Sequence, residues 1–261
     1  MTDLIQIEKN NNVMTVRLNR PEKRNALNAK MIGDLMKLTQ ELQHDTSIDI
    51  VVLKGKGDNF CAGADLCWFK KAMEMPEEER ITTLKALPVF LRTWNRLPQT
   101  TITVGHGFLY GGALGLLAVS DFVILEQNSH LRLSEVLLGV IPASIAPYLI
   151  RRMGFKRSKA LMLSAEAINA QLALAYGLAD KIGPFEKLLE IEQRLIENIQ
   201  RSAPETRRML KKYLFDIVNR EINEEMSDIA ARGLSDALNT EIAKEFIQSF
   251  SDQNGESSCN D

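Results

Sequence analysis

The chain has 261 residues, of which 45% are hydrophobic, 25% charged and 6% aromatic. That balance excludes a disordered or fibrous chain and allows one large domain or two unequal ones. With 32 basic against 34 acidic residues and a formal charge of −2, no basic field exists to hold a phosphate backbone, so nucleic acid is not an expected partner.

Along the chain, Val13-Met-Thr-Val-Arg-Leu18 alternates apolar and polar residues as a half-buried strand should. After the break at Asn19-Arg-Pro-Glu22, Asn28 opens an amphipathic helix with Met31, Leu35, Leu38 and Leu42 on one face. Ile48–Leu53 is a short apolar run ending at Gly55, the pattern of a buried strand in a mostly parallel sheet. A loop follows, from Gly55 to Asp65. Residues 77–97 suit a charged, mostly surface helix closed by Pro98. Thr100–Val104 is a strand, Gly105–Gly112 a glycine-punctuated turn, Gly112–Val119 a buried helix and Phe122–Leu125 another strand. This rhythm argues for an α/β core.

Beyond Pro142 the pattern turns helical. Ser144–Met153, Ser158–Ser164 and Asn169–Tyr176 are helices by period, and only Asp180-Lys-Ile182 looks extended. The stretch Glu224–Phe250 carries an apolar stripe of Ile229, Leu234, Leu238, Ile242, Phe246 and Phe250, which must cover its own core or a neighbouring subunit. The expected organisation is an α/β core over 1–190, a helical region over 191–253 and a loose tail over 254–261.

Targeting and metal signals are weak. Met1-Thr-Asp-Leu4 has no basic and then apolar stretch of a secretory signal. The longest apolar run, Gly107–Val119, falls short of the ~20 residues of a membrane span. Cys61, Cys67 and Cys259 are too few for a disulfide scaffold and fit a reducing cytosol. A cytoplasmic protein with no membrane association is the expectation. His44, His106 and His130 lack partners at ligand spacing, so no metal is expected. Gly105-His-Gly107 has Tyr110 where a dinucleotide fingerprint needs its third glycine, and neither a Walker loop nor a Gly-x-Ser-x-Gly elbow occurs.

Three elements carry chemistry. Phe60-Cys-Ala-Gly-Ala-Asp-Leu66 and Gly105-His-Gly-Phe-Leu-Tyr-Gly-Gly-Ala113 are strand-to-helix turns of small residues, with backbone N–H groups open to a ligand. Two such amides aimed at one spot make an oxyanion hole, helped by the positive end of the helix starting near Gly112. Taken singly, each is a tight turn. The third element is Glu135 within Leu133-Ser-Glu-Val-Leu-Leu-Gly-Val-Ile-Pro142. Aliphatic neighbours would raise its pKa and suit it to proton transfer; as a plain helix-start residue it would instead be a cap.

In this order the elements resemble the crotonase (enoyl-CoA hydratase/isomerase) superfamily. The resemblance runs from Leu18-Asn-Arg-Pro-Glu-Lys-Arg-Asn-Ala-Leu-Asn28 through Phe60–Leu66, Gly107-x-x-x-Gly-Gly112 and Ser134–Pro142 to Ala173-x-x-x-Gly-Leu178. It implies a spiral of ββα units with a helical C-terminal trimerisation region, assembled as a trimer or dimer of trimers. It implies an acyl-CoA substrate and no separate cofactor, CoA being part of the substrate. The thioester oxygen would lie between the amides of Ala64 and Gly112, with Glu135 as general acid and base. Ala62, Asp65, Leu66 and Gly111 match one lip of the CoA site, and Arg24, Ala26 and Leu27 the other.

The family's hydratases place two glutamates around the catalytic water. Glu135 matches the second, but the first falls on Gly115. The first reading is a hydratase working with one carboxylate. It resembles bacterial hydratases of branched, glutaconyl-type CoA esters, as in leucine or acyclic-terpene breakdown, where glycine at this position is common. The alternative is a Δ3,Δ2-enoyl-CoA isomerase, which needs one glutamate only. A non-enzymatic RNA-binding descendant is a third class, disfavoured by the charge. Around this site Trp68 and Phe69 suit either the acyl pocket or the core, Tyr110 is a candidate for a hydroxyl contact to substrate or a plain turn residue, and His106, Cys61 and Cys67 read as structural. Arg92, Arg96 and Arg132 are candidates for a distal substrate carboxylate. Lys54, Lys56, Lys70 and Lys71 are candidates for the CoA phosphates, because Phe250-Ser-Asp-Gln253 offers no cation where the family's C-terminal helix often does.

Overall fold

In the computed structural model, which describes residues 3–254, the alternating segment Val13–Leu18 forms strand β2, with Met14, Val16 and Leu18 turned into the core. It is preceded by a strand not expected from the sequence, β1 (Ile5–Asn10). That strand pairs antiparallel with β2 at the sheet edge and is exposed along most of its length; its alternation is short, Ile5-Gln-Ile-Glu8, and its charged side chains protect the edge. Asn28 caps helix α1 (Ala29–Leu42), its side chain accepting from the Met31 N–H at 2.9 Å. Strands β3 (Ile50–Gly55), β4 (Thr100–Gly105), β6 (Phe122–Glu126) and β9 (Lys181–Gly183) then add in parallel, giving the order β1-β2-β3-β4-β6-β9. Strands buried on both faces explain the near-continuous Ile50-Val-Val-Leu53 run.

The single helix expected over 77–97 is two. Helix α2 (Leu66–Met73) is followed by α3 (Glu77–Leu84) and α4 (Ala86–Asn95). Pro88 explains the break: its ring clashes with the carbonyl of Leu84 and it has no N–H to donate. Only α3 is a surface helix; α4 buries Leu87, Phe90, Leu91 and Trp94. The turn expected over Gly105–Gly112 holds a short strand, β5 (Phe108–Tyr110), that pairs parallel with β7 (His130–Arg132). β7 pairs in turn with β8 (Ala167–Asn169), completing a second, three-stranded sheet. Helix α5 (Gly112–Ala118) is tied at its far end: Ser120 Oγ donates to the Leu116 carbonyl and shares a 2.7 Å hydrogen bond with Thr103 of β4. A 3-10 turn over Glu135–Leu138 leads to α6 (Ala146–Met153), α7 (Phe155–Ser164), α8 (Ala170–Ala175) and α9 (Leu188–Gln200).

By its internal contacts the chain divides between Asn198 and Ile199. The first unit holds both sheets and a core built on β2, β3, α1, α4 and α5; burying each large aliphatic there is worth about 1.5–3 kcal/mol. The second unit holds α10 (Pro204–Ile217), α11 (Glu224–Leu238) and α12 (Glu241–Asn254). The continuous stripe expected over Glu224–Phe250 breaks at Asn239-Thr240, where Thr240 Oγ1 accepts from the Ala243 N–H. α10 and α11 bury none of their residues within the chain. Apart from Asn254, the expected tail lies outside the described residues, as do Cys259 and the side chains of Phe250 and Gln253. No described helix is long and apolar enough to cross a membrane.

Candidate active site

The two glycine-bearing turns meet. Leu27 N–H donates to the Gly63 carbonyl at 2.7 Å and Asp65 N–H to the Leu27 carbonyl at 2.8 Å. This bridge uses the amides on either side of Ala64 and leaves the Ala64 N–H without a protein acceptor among the described residues. On the second turn Gly111 takes φ +50° and donates to the Arg132 carbonyl at 2.8 Å. Gly112, the first residue of α5, has an amide the helix cannot use. Gly63, at φ +92°, lets the turns touch: a β-carbon there would lie 2.7 Å from the Tyr110 carbonyl oxygen and 3.6 Å from the Gly112 nitrogen. Two free N–H groups therefore stand side by side at the wall of one cleft of about 290 Å³.

Glu135 enters this cleft as the first residue of its 3-10 turn. It packs against Gly111, where a β-carbon would come within 3.0 Å of its Oε1. Its Oε2 is buried without a hydrogen-bond partner. Burial pushes its pKa up, and its own backbone N–H only partly offsets this. A carboxylate so placed is a proton acceptor of raised basicity beside a site built to receive negative charge. Among the described residues that line the cleft, Ser134 and Ser144 are its only polar side-chain neighbours.

The space beside Gly115 is filled. A β-carbon on Gly115 would lie 2.3 Å from Ile145 Cγ2 and 3.5 Å from Leu91 Cδ1. Ile145, 2% exposed, thus occupies the space that a side chain at position 115 would enter.

Of the residues singled out from the sequence, Ala62, Ala64, Leu66, Gly111, Gly112 and Glu135 share the cleft. Arg24, Ala26, Leu27 and Asp65 stand beside or behind it. Arg24 accepts the Ala62 amide on its carbonyl at 2.9 Å, and its guanidinium lies over the Phe108 ring. Phe69 lines the cleft, whereas Trp68 is buried and stacked on Phe69, and Tyr110 lies outside the lining. His106 shares a 2.7 Å hydrogen bond with the Gly57 carbonyl. Burial pushes the Cys61 thiol up to about 12, so it is no nucleophile. Lys54 is not available to a phosphate, being paired with Glu192 at 2.6 Å in a largely buried ion pair. Arg132 is anchored through Nε to the Ala165 carbonyl at 2.7 Å, with its two terminal nitrogens left over. Arg92 and Arg96 are exposed and make their charge felt at Tyr148.

Sequence reasoning missed Arg20 and Asn25. Arg20 pairs with Asp65 and donates to the Ala26 carbonyl, binding the two lips together. Burial alone would raise the Asp65 pKa, but the hydrogen bond and charge of Arg20 and the Cys67 N–H hold it below the usual carboxylate range. Asn25, fully buried with φ +54°, donates to the Lys56 and Asn59 carbonyls. The one available signal was a polar pair inside a loop that otherwise reads as punctuation.

A family profile described as Enoyl-CoA hydratase/isomerase matches residues 8–257. The chain belongs to that family. It is 33% identical over 212 residues to a provisionally named enoyl-CoA hydratase of Thermus thermophilus, covering 81% of this chain and 83% of the relative. It is 32% identical over 208 residues to the 2,3-dehydroadipyl-CoA hydratase of Escherichia coli, covering 78% of each. The crystal structure of an enoyl-CoA hydratase from Shewanella pealeana superposes with a TM-score of 0.92 at 29% identity, over 96% of this chain and 94% of that one. The crotonase fold and an enzyme of the enoyl-CoA hydratase/isomerase kind follow, with an acyl-CoA thioester as substrate.

Proposed function

We propose that the protein is an enoyl-CoA hydratase that adds water with one carboxylate. The observation that carries this reading is the partnerless, buried Glu135 oxygen in the same cleft as two free amides. The thioester oxygen takes hydrogen bonds from the Ala64 and Gly112 N–H groups. Glu135 accepts a proton from water as the C3–O bond forms. The C2–C3 π pair moves into the thioester, where the amides stabilise the enolate charge. The Glu135 carboxyl then returns its proton to C2 on the same face, so one group serves as base and acid in turn.

The Ile145 side chain in the Gly115 slot favours a second reading. With the other carboxyl replaced by a methyl group, Glu135 alone can move a proton from C2 to C4 of a 3-enoyl-CoA, and no water is needed. A distal carboxylate on the acyl chain, glutaconyl-type or as in the dehydroadipyl relative, would meet Arg92, Arg96 or Arg132. Self-association as a trimer or dimer of trimers is supported by the unburied apolar side chains of α10 and α11, such as Leu214 and Leu234; light scattering that returns a monomer would refute it.

The deciding assay compares crotonyl-CoA, 3-methylglutaconyl-CoA and 3-hexenoyl-CoA by enoyl absorbance. Loss of the conjugated band with either of the first two supports hydration. A gain with the third alone replaces that reading with isomerisation.

A further inference from the structure

The glutamate pair of a two-carboxylate site would hold both protons of the attacking water. Here one acceptor is Glu135, and the other must come from elsewhere in a cleft whose walls, Ser134 and Ser144 apart, are aliphatic, aromatic or glycine. The turn carrying Ile145 supplies it. That turn is held from both sides: Ile145 N–H and Ala146 N–H donate to the Pro142 carbonyl at 3.1 and 2.9 Å, and Ala143 N–H to the Ile141 carbonyl at 2.8 Å. Ile145 is fixed further by its side chain against Gly115. Ser144, next to it, is half-buried and lines the same cleft as Glu135. Its hydroxyl makes no hydrogen bond among the described residues.

We propose that Ser144 is the second acceptor for the attacking water, its Oγ holding the proton that Glu135 does not take. This rests on the hydratase reading and gives the missing carboxyl a neutral substitute one residue from the side chain that displaced it. Ser134, the other hydroxyl of the cleft, directly precedes Glu135. Successive side chains in a 3-10 turn point about 120° apart, so these two converge less well on one oxygen atom than groups from two segments. In the step itself the water O–H bond to Glu135 breaks as C3–O forms, and the C2–C3 π pair moves into the thioester. Ser144 neither gains nor loses a proton. An oriented water with both protons engaged attacks from one direction; without Ser144 one donor is left unpaired in an apolar wall.

The test compares wild type, Ser144→Ala and Ser144→Thr in two reactions. One is hydration of crotonyl-CoA. The other is exchange of the α-protons of butyryl-CoA in heavy water, followed by NMR, which uses Glu135 and the two amides but forms no C–O bond. Ser144→Ala is expected to lower kcat for hydration about tenfold, the worth of one hydrogen bond, with exchange falling less than twofold, and Ser144→Thr to recover most of the loss. Unchanged hydration in Ser144→Ala overturns the assignment. So do parallel losses in both reactions, or a Ser144→Thr variant no better than alanine. Wild-type exchange with no hydration at all overturns the hydratase reading, and this assignment with it.

Discussion

Adding a single methyl group at residue 115 tests the identity of the pocket wall. The new β-carbon would sit 2.3 Å from Ile145 Cγ2 and 3.1 Å from its Cβ, against an optimum of roughly 3.5–4.0 Å for carbon pairs. Cγ2 is attached directly to Cβ, so no distal torsion of the isoleucine relieves the overlap; either χ1 or the Pro142–Ile145 turn must move. Overpacking of this kind costs about 1–3 kcal/mol, and the overlap puts Gly115→Ala at the upper end. Replacing a helical glycine by alanine returns ~1 kcal/mol. The net expectation is a loss of about 1–2 kcal/mol, or about 2–8 °C in Tm for a protein of this size. Ile145→Ala alone leaves a cavity and costs about 2–5 kcal/mol, but in that background Gly115→Ala becomes neutral or stabilising. A double-mutant cycle by urea unfolding therefore yields a coupling of about 1–3 kcal/mol. Gly115→Ala at least as stable as its parent, or additivity within about 0.5 kcal/mol, would refute the claim that Ile145 owns this space. The same overlap predicts that Gly115→Glu gains no hydratase activity while Ile145 remains.

Three further expectations concern the site and its lips. Glu135→Gln should lower kcat about 10²–10⁴-fold with the KM for acyl-CoA little changed. Because burial raises the folded-state pKa of Glu135, its ionised form opposes folding above the unfolded pKa, so the glutamine variant should have a higher Tm at pH 7, with the gain vanishing as pH falls; a lower Tm at pH 7 contradicts this. Arg20→Ala strands Asp65, whose side chain is 12% exposed, and should cost about 1–3 kcal/mol and raise the KM for the CoA ester several-fold, measured by denaturation and steady-state kinetics. Iodoacetamide at pH 8 followed by peptide mapping should label exposed Cys67 and spare buried Cys61; labelling of Cys61 in the native protein would contradict its burial.

Much of the fold was legible because the buried parallel strands and the amphipathic α1 write their burial into composition. β1 was not singled out, since its alternation is only Ile5-Gln-Ile-Glu8 and an edge strand leaves five of its residues exposed. β5 and β8 have three residues each, too few for any period, and exist because a second sheet gathers them. The division of 77–97 was readable in principle from Pro88, yet the abundance of charge in α3 suggested one surface helix. At the site, Glu135 and the two small-residue turns could be found because chemistry limits which residue types serve there. That the turns touch, that Arg20 reaches Asp65, and that Ile145 fills the space beside Gly115 are facts of distance between segments remote in sequence. No local pattern encodes them.

The contact of Gly63 with the second turn has a consequence for how the protein acquires activity. Neither free amide is a site by itself, and their spacing exists only once the β3–α2 loop has docked on the β5–α5 turn. Helices register earlier, from contacts within a few residues, because the entropy of closing a longer loop must be met before its contacts form. Competence to polarise a thioester is therefore a property of the finished tertiary structure, and during refolding it should return after the far-ultraviolet signal rather than with it.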